Sequence, residues 1–211
     1  MLISDLIATA FAESRNREYA ISDKWLKLSF NWGGRLGNSL LTPAIQGHGE
    51  LDVLLRCYED EIAASVASGD ADPHFKFNYL KKLSELWVVS VYETIRTINQ
   101  RKIAPQSNAF TNLYRDLTLV RMPLAKHEIP KDNLATSPLH MARVPFSADT
   151  KASYVYDKGD PLRAHIMPCG VSATGSLMWQ VIDLKRDLEY WVERRGLSDR
   201  LLALAAPINP A

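Results

Sequence analysis

The sequence predicts an α+β protein with a mostly helical core and a small antiparallel sheet. In the first 130 residues, apolar side chains recur at helical intervals. After residue 150, short apolar runs are separated by Gly, Pro and Asp, which is typical of strands and turns. The central helices are predicted at about residues 73–102 and 107–122. C-terminal strands supply the sheet, and a C-terminal helix completes the fold.

The composition is that of an ordinary globular protein. Of the 211 residues, 46% are hydrophobic and 23% are charged. The 25 basic and 24 acidic residues leave a net charge of +1, so the net charge does not indicate nucleic acid binding. We expect a single domain, 1–211. The alternative is a mostly helical part, 1–130, and a part with strands and a helix, 150–211, joined by a long loop, 131–151.

The sequence favours a cytoplasmic location. Cys57 and Cys169 lie far apart along the chain, which favours two reduced thiols over a disulfide. No apolar run is long enough to cross a bilayer, so no membrane contact is expected. The N-terminal segment differs from a signal peptide because it has no basic start and Asp5 interrupts its apolar run.

The N-terminal segment is instead predicted to form an amphipathic helix that docks on the body of the protein or on a partner. Ser4 and Asp5 suit the start of such a helix. Its apolar residues follow helical spacing: Leu2, Ile3, Leu6, Ile7, Ala10 and Phe11.

A strand is predicted next, because apolar and polar residues alternate over Trp25–Trp32. The glycines of residues 33–37 indicate a tight turn, with a hairpin returning through 39–42. They match neither of the glycine patterns that bind phosphate. A helix is then predicted over 50–68, ended by Gly69.

The first central helix begins with Asp72 as N-cap and Pro73 in the first helical position. Its segment 86–92 is apolar nearly all round and rich in β-branched residues, so a strand is the alternative there. The helical period continues on both sides of this segment, which favours a helix at the centre of a bundle. Ser107 caps the second helix, and Pro123 is expected to kink or end it near Arg121, or to begin a separate turn.

The C-terminal third is predicted to hold three strands and a helix. Strands are expected at 153–157, 163–167 and 177–182, with a turn at 159–161. Asp183 then caps a helix that runs to residue 195 and is stopped by Gly196, and Ser198 starts a last turn.

The candidate binding site is a polar cluster on the central helices. Its members are Glu93, Arg96, Arg121, His127 and Glu128. Glu93 and Arg96 lie three residues apart on one helix face, and Arg121 and Glu128 share a face if the helix continues through Pro123. Carboxylates and guanidinium groups beside a histidine can bind an anion, orient a substrate or move a proton. The alternative is a structural ion-pair network, or charges in solvent.

The segment Arg121–His127 resembles the Arg-x(4–6)-His motif of the HEPN-type ribonucleases, which are also helical. The resemblance covers seven residues, and Pro123 within them departs from a regular helix. It implies an RNA-processing module, and in that hypothesis His127 is the general acid or base and the arginines hold phosphate or carboxylate.

Other catalytic patterns are incomplete. The segment Cys169–Gly175 differs from a nucleophile elbow because its glycine comes one position late. Cys169 could act as a nucleophile with His140 or His165, although no family signature surrounds it. The five histidines are scattered singly, so we predict no metal and no cofactor.

The favoured hypothesis is a non-enzymatic intracellular protein that binds a protein partner or associates with itself into an oligomer. It depends on the lack of a catalytic signature, the near-neutral charge and the amphipathic helices at both ends. The alternative is a small enzyme, or a HEPN-like RNA-processing module, that uses the polar cluster. Whether the protein is an enzyme is left open by the sequence.

Overall fold

A computed structural model describes residues 2–34, 40–69, 73–104, 106–142 and 153–205. Within these ranges the chain forms six α-helices and five strands. The helices are α1 (Ile3–Arg17), α2 (Tyr19–Gly33), α3 (Leu41–Ser68), α4 (Pro73–Gln100), α5 (Asn108–Lys126) and α6 (Arg194–Ala203). The strands are β1 (Leu139–Ala142), β2 (Ser153–Tyr156), β3 (Cys169–Val171), β4 (Leu177–Asp183) and β5 (Leu188–Glu193). The predicted α+β class, with a helical core, is confirmed.

The two central helices are confirmed as α4 and α5. The segment 86–92 is helical, as the continued period predicts, and Trp87, Val88 and Val91 from it are buried. Ser107 caps α5 by accepting a hydrogen bond from the main-chain nitrogen of Phe110 at 3.1 Å.

The expectation that Pro123 ends α5 near Arg121 is wrong. The helix continues to Lys126, and the left-handed backbone of His127 ends it. Proline inside a helix costs about 3 kcal/mol. Here Pro123 is buried with Val120 against the core, and its carbonyl still accepts from the nitrogen of His127 at 2.9 Å. Packing and this closing hydrogen bond offset the loss.

The predicted strand Trp25–Trp32 is wrong, because these residues belong to α2. Trp25, Leu28 and Trp32 are buried at helical spacing, while Leu26 and Phe30 are exposed. The two exposed apolar residues produced the apparent alternation. The turn at 35–39 lies outside the described residues, and its return strand is wrong because Leu41 and Thr42 begin α3.

Helix α3 therefore begins well before the predicted residue 50, but it ends as predicted. Gly69 adopts a left-handed backbone with φ 69°, and its nitrogen bonds back to Val66. Only glycine adopts this conformation without strain.

The C-terminal strands form two antiparallel sheets. Strand β1 pairs with β2, and β3, β4 and β5 form the second sheet in that order. Strands β2 and β4 confirm the predictions at 153–157 and 177–182. The predicted loop 131–151 contains a short 3-10 helix, Asp132–Leu134, and β1, and its residues from 143 onward are not described.

Two C-terminal predictions are wrong. Residues 163–167 form no strand, because hydrogen bonds from Arg163 and His165 to the end of α5 and the following turn hold this segment. The predicted helix 183–195 is instead the turn after β4 and the strand β5, which pairs along β4 from Asp183 opposite Leu188 to Met178 opposite Glu193. Helix α6 starts directly after β5, so Gly196 and Ser198 lie inside it.

Helices and sheet share one hydrophobic core. Trp25 and Trp87 meet edge to face at 6.4 Å, as do Trp32 and Phe110. From β4, alternate side chains turn inward to the same cluster: Leu177, Trp179 and Val181.

Candidate functional site

Three of the five predicted site residues meet where α4 packs on α5. Arg96 donates from Nε to Oε2 of Glu93 at 2.8 Å, across one turn of α4. Arg121 of α5 donates from Nη2 to Oε1 of the same carboxylate at 3.0 Å. Glu93 therefore joins an arginine from each helix, and of the two contacts the spacing in the sequence suggests only the one with Arg96.

These residues line an open groove of about 390 Å³. The groove is lined by Tyr92, Glu93, Arg96, Arg121, Met122 and Lys126. The side chains of Arg96 and Glu93 are 43% and 39% exposed, so solvent reaches both. Three cations and one carboxylate give the groove a formal charge of +2, in a protein whose net charge is +1.

Arg121 is held firmly in this groove. Its guanidinium carbon lies 5.2 Å from the centre of the Tyr92 ring, and that ring stacks on Tyr114 at 5.8 Å. Burial, followed by the contact with Tyr92, raises the pKa of Tyr114 to about 12, so the Tyr114 ring stays neutral. The Nε of Arg121 is buried and has no hydrogen-bond acceptor within the described residues.

His127 does not line the groove. Its backbone ends α5 with φ 57°, its side chain is exposed, and its carbonyl accepts from the nitrogen of His165 at 2.7 Å. Glu128 instead accepts from Arg163 at 3.1 Å. The five predicted residues are thus divided between two places, and the groove has no histidine among its lining residues.

Glu128 belongs to a second polar cluster, which ties the β1–β2 hairpin to the end of α5. Arg163 bonds both Glu128 and Asp132, and the Tyr156 hydroxyl donates to Asp132 at 2.9 Å. Nearby, the Tyr154 hydroxyl lies 2.9 Å from Nδ1 of His165. Burial lowers the pKa of His165 to about 4, so this histidine is neutral at neutral pH. These contacts fasten the hairpin to the end of α5.

The sequence analysis missed the largest polar network among the described residues. Arg194, at the start of α6, is completely buried and donates to both oxygens of Glu59, at 2.5 Å from Nε and 2.7 Å from Nη2. Its Nη1 donates to Asp52, and its guanidinium lies 5.3 Å from the ring centre of Trp87. Asp52 and Glu59 are seven residues apart on one face of α3, which is a signal that the sequence did contain.

Further donors saturate this network. Asp52 also accepts from Trp25 and Arg56, at 2.8 and 2.9 Å. Glu59 also accepts from Ser176 and Arg195, each at 2.8 Å. Burial alone would raise the pKa of Asp52, but the charges of Arg194 and Arg56 more than compensate and lower it. Each oxygen of the two carboxylates thus accepts at least one hydrogen bond, and the network ties α6 to α3.

The two cysteines lack the setting of a nucleophile. Both are free thiols, and burial raises the pKa of Cys57 and of Cys169. A reactive thiol needs a lowered pKa. Among the described residues, no group of three or more His, Cys, Asp or Glu is arranged to hold a metal ion.

The first half of α1 stands clear of the body of the protein. Every residue from Leu2 to Ala10 is exposed, whereas Ser14 is buried against α3. Ion pairs from Arg15 to Glu50 and from Arg17 to Glu61 fasten the other end of the helix. Its exposed apolar side chains are Leu2, Ile3, Leu6 and Ile7, and we call them the α1 stripe.

A second groove, of about 370 Å³, lies beside the base of α1. On the α2 side it is lined by apolar Tyr19, Trp25 and Leu26 and by polar Ser22 and Asp23. Gln46, Gly49 and Glu50 of α3 form the opposite side. Arg15 of α1 stands at its edge. We call it the α2–α3 groove.

Comparisons with known proteins add no family to this description. The chain matches no protein-family model, no curated protein and no solved structure significantly. None of the described helices is long and apolar enough to cross a membrane.

Proposed function

We propose that the protein is a non-enzymatic protein that associates with a second copy of itself through its N-terminal helix. One observation carries the proposal, which is the exposure of the α1 stripe. Leu2 and Ile3 are 70% and 71% exposed, and Leu6 and Ile7 are exposed beside them. Exposure of adjacent apolar side chains to water is unfavourable in free energy, and association removes this exposure.

Part of the α1 stripe lies on the same face of α1 as residues that pack against the body of the protein. Ile3, Ile7, Phe11 and Ser14 lie three or four residues apart, so they share one face of α1. Ser14 is buried and Phe11 is half-buried against the body, while Ile7 and Ile3 have no such cover. The face is built for packing along its whole length, and the body covers only its end.

The α2–α3 groove fits the role of the receiving surface. Its α2 side includes apolar residues, and of these Tyr19 and Leu26 are exposed. The stripe of one chain cannot occupy the groove of the same chain. Ile7 lies eight residues before Arg15, which stands at the edge of the groove, and this separation is about 12 Å along the helix. The stripe of a second copy can reach it.

The exposed side of α1 favours a second copy of this chain as the occupant. Ala10 is exposed and lies three residues from Ile7, on the side of the helix that carries the stripe. An antiparallel pairing of two α1 helices about Ala10 brings this side of each copy against the same side of the other, with Ala10 opposite Ala10. Such an interface is two-fold symmetric and closes on itself as a dimer.

The enzyme hypothesis receives less support from the geometry. Its general acid or base, His127, is exposed at the end of α5 and does not line the groove that holds Glu93, Arg96 and Arg121. A general base must come within hydrogen-bond reach of the proton that it removes. No other histidine lines that groove.

The test is the molar mass in solution, measured by size-exclusion chromatography with light scattering. We expect a dimer for the native chain and a monomer for Ile7→Asp, because a charge in the stripe opposes its burial. Leu162→Asp is the matched control, since Leu162 is 87% exposed and lies outside both surfaces. That variant should remain a dimer. A native chain that stays monomeric into the high micromolar range would overturn the proposal.

A further inference from the structure

We propose that the α4–α5 groove binds the phosphate group of a small phosphorylated molecule. The site consists of Arg96, Arg121 and Lys126 around the Glu93 carboxylate. It is independent of the proposed dimer, because its lining residues belong to α4 and α5 and the α1 stripe and the α2–α3 groove use other helices.

The charge of the groove matches a dianion. Three cations and one carboxylate leave +2, and a phosphate monoester carries −1.5 to −2, about the same magnitude, at neutral pH. A single carboxylate would leave the groove positively charged. Arginine side chains also match phosphate because their planar donors can bond two of its oxygens at once.

The arginines are already oriented without a ligand. Glu93 fixes Arg96 through Nε at 2.8 Å and Arg121 through Nη2 at 3.0 Å. The Tyr92–Tyr114 stack supports the guanidinium of Arg121 from one side. Among the described residues, the terminal nitrogens of Arg96 make no hydrogen bond, and Nη1 of Arg121 contacts only the sulfur of Met122, at 3.5 Å. These donors are free to bond a phosphate, so little side-chain entropy is lost on binding.

The shape of the groove favours a small molecule over RNA. Its volume of about 390 Å³ is within the range for small-molecule sites. Binding of a nucleic acid strand uses an extended basic surface with stacked aromatic rings. Here one ring, Tyr92, is covered by Arg121 on one side and Tyr114 on the other, and the protein as a whole is near neutral.

Substitution of Glu93 tests the proposal because it should raise the affinity for phosphate. Its carboxylate organises the two arginines but repels an incoming anion. Glu93→Gln keeps the size of the side chain and an oxygen acceptor while raising the charge of the groove by one. We therefore expect Glu93→Gln to bind phosphate more tightly than the native chain, by about three- to tenfold.

The experiment is isothermal titration of the full chain with inorganic phosphate and with ribose 5-phosphate. Arg96→Gln and Lys126→Gln should each weaken binding, by about three- to tenfold. Arg186→Gln and Lys185→Gln are matched controls, because these exposed residues lie in the β4–β5 turn. Their affinities should equal that of the native chain. Acetate at the same concentration should not bind.

Several results would overturn the proposal. One is the absence of saturable binding of either phosphate compound to both the native chain and Glu93→Gln. Another is equal weakening by the control variants, which would indicate a general charge effect. Binding of a single-stranded RNA oligonucleotide without binding of ribose 5-phosphate would replace the small molecule with a nucleic acid. Circular dichroism of each variant separates loss of binding from loss of the fold.

Discussion

Arg194 and Glu59 form a two-point ion pair in which neither side chain is exposed to solvent. The pair joins α6 to α3 across 135 residues of sequence. Asp52, on the same face of α3, accepts from the remaining nitrogen of Arg194. This guanidinium group thereby links the start of α6 to two carboxylates of α3.

The first prediction concerns this guanidinium. Replacing Arg194 with Met leaves two buried carboxylates without their main partner, and breaking a buried ion pair in this way costs about 3–5 kcal/mol. Urea denaturation should show a decrease of that size in the free energy of unfolding. Lys185→Met, in the exposed β4–β5 turn, should change it by less than about 0.5 kcal/mol. An effect of Arg194→Met as small as that of Lys185→Met would show that the network contributes no stability.

The second prediction concerns Gly175, in the turn before β4. Its φ is 75°, and a Cβ atom added there would overlap the main-chain oxygen of Glu59. Gly175→Ala should therefore destabilise the protein strongly, since the turn must withdraw from α3 and Ser176 then loses its bond to Glu59. Gly47 in α3 has open space around it.

Gly47→Ala is the control for this substitution. It should stabilise the protein by about 0.5–1 kcal/mol, because alanine favours a helix interior over glycine. Thermal unfolding of both variants checks the pair. If Gly175→Ala unfolds at the same temperature as the native chain, the turn does not lie against the main chain of α3.

The third prediction concerns pH and His48. The His48 ring lies 2.8 Å from the Thr94 hydroxyl and 3.3 Å from the Ser90 hydroxyl, and burial lowers its pKa to about 4. The unfolded chain has the ordinary pKa of 6.5, so it binds more protons than the folded chain between the two values. Stability is fully present above pH 6.5 and falls as the pH drops towards 4.

His165 behaves in the same way, with its pKa also lowered to about 4 by burial. Urea midpoints measured from pH 7.5 down to 4.5 should therefore decrease. His48→Gln, which keeps a polar group beside Thr94, should reduce the slope of stability with pH. An unchanged slope in this variant would mean that the histidine is not buried in its neutral form.

The helical core could largely be predicted from the sequence, but the C-terminal third only in part. Ser107 and Gly69 gave correct helix ends because capping is a local property. Trp25–Trp32 was misassigned because exposed Leu26 and Phe30 imitated the alternation of a strand. The prediction of a helix at strand β5 is wrong because the pairing of β5 with β4, and not the spacing of its apolar residues, determines its conformation.

The candidate site could be predicted to the same limited extent. Glu93 and Arg96 are three residues apart, so their contact follows from helical geometry alone. Their contact with Arg121 depends on how α4 packs on α5, which helical spacing alone does not determine. The partner of Arg194 could not be predicted, since Asp52 lies 142 residues away and only the tertiary fold brings them together.

Association through α1 is tested most directly by a cross-link between two copies. The chain carries Ala10→Cys, with Cys57 and Cys169 replaced by serine, and is oxidised mildly. The antiparallel pairing about Ala10 predicts a disulfide-linked dimer. Leu162→Cys in the same background should give none. Failure of Ala10→Cys to cross-link, or equal cross-linking through Leu162→Cys, would contradict the account.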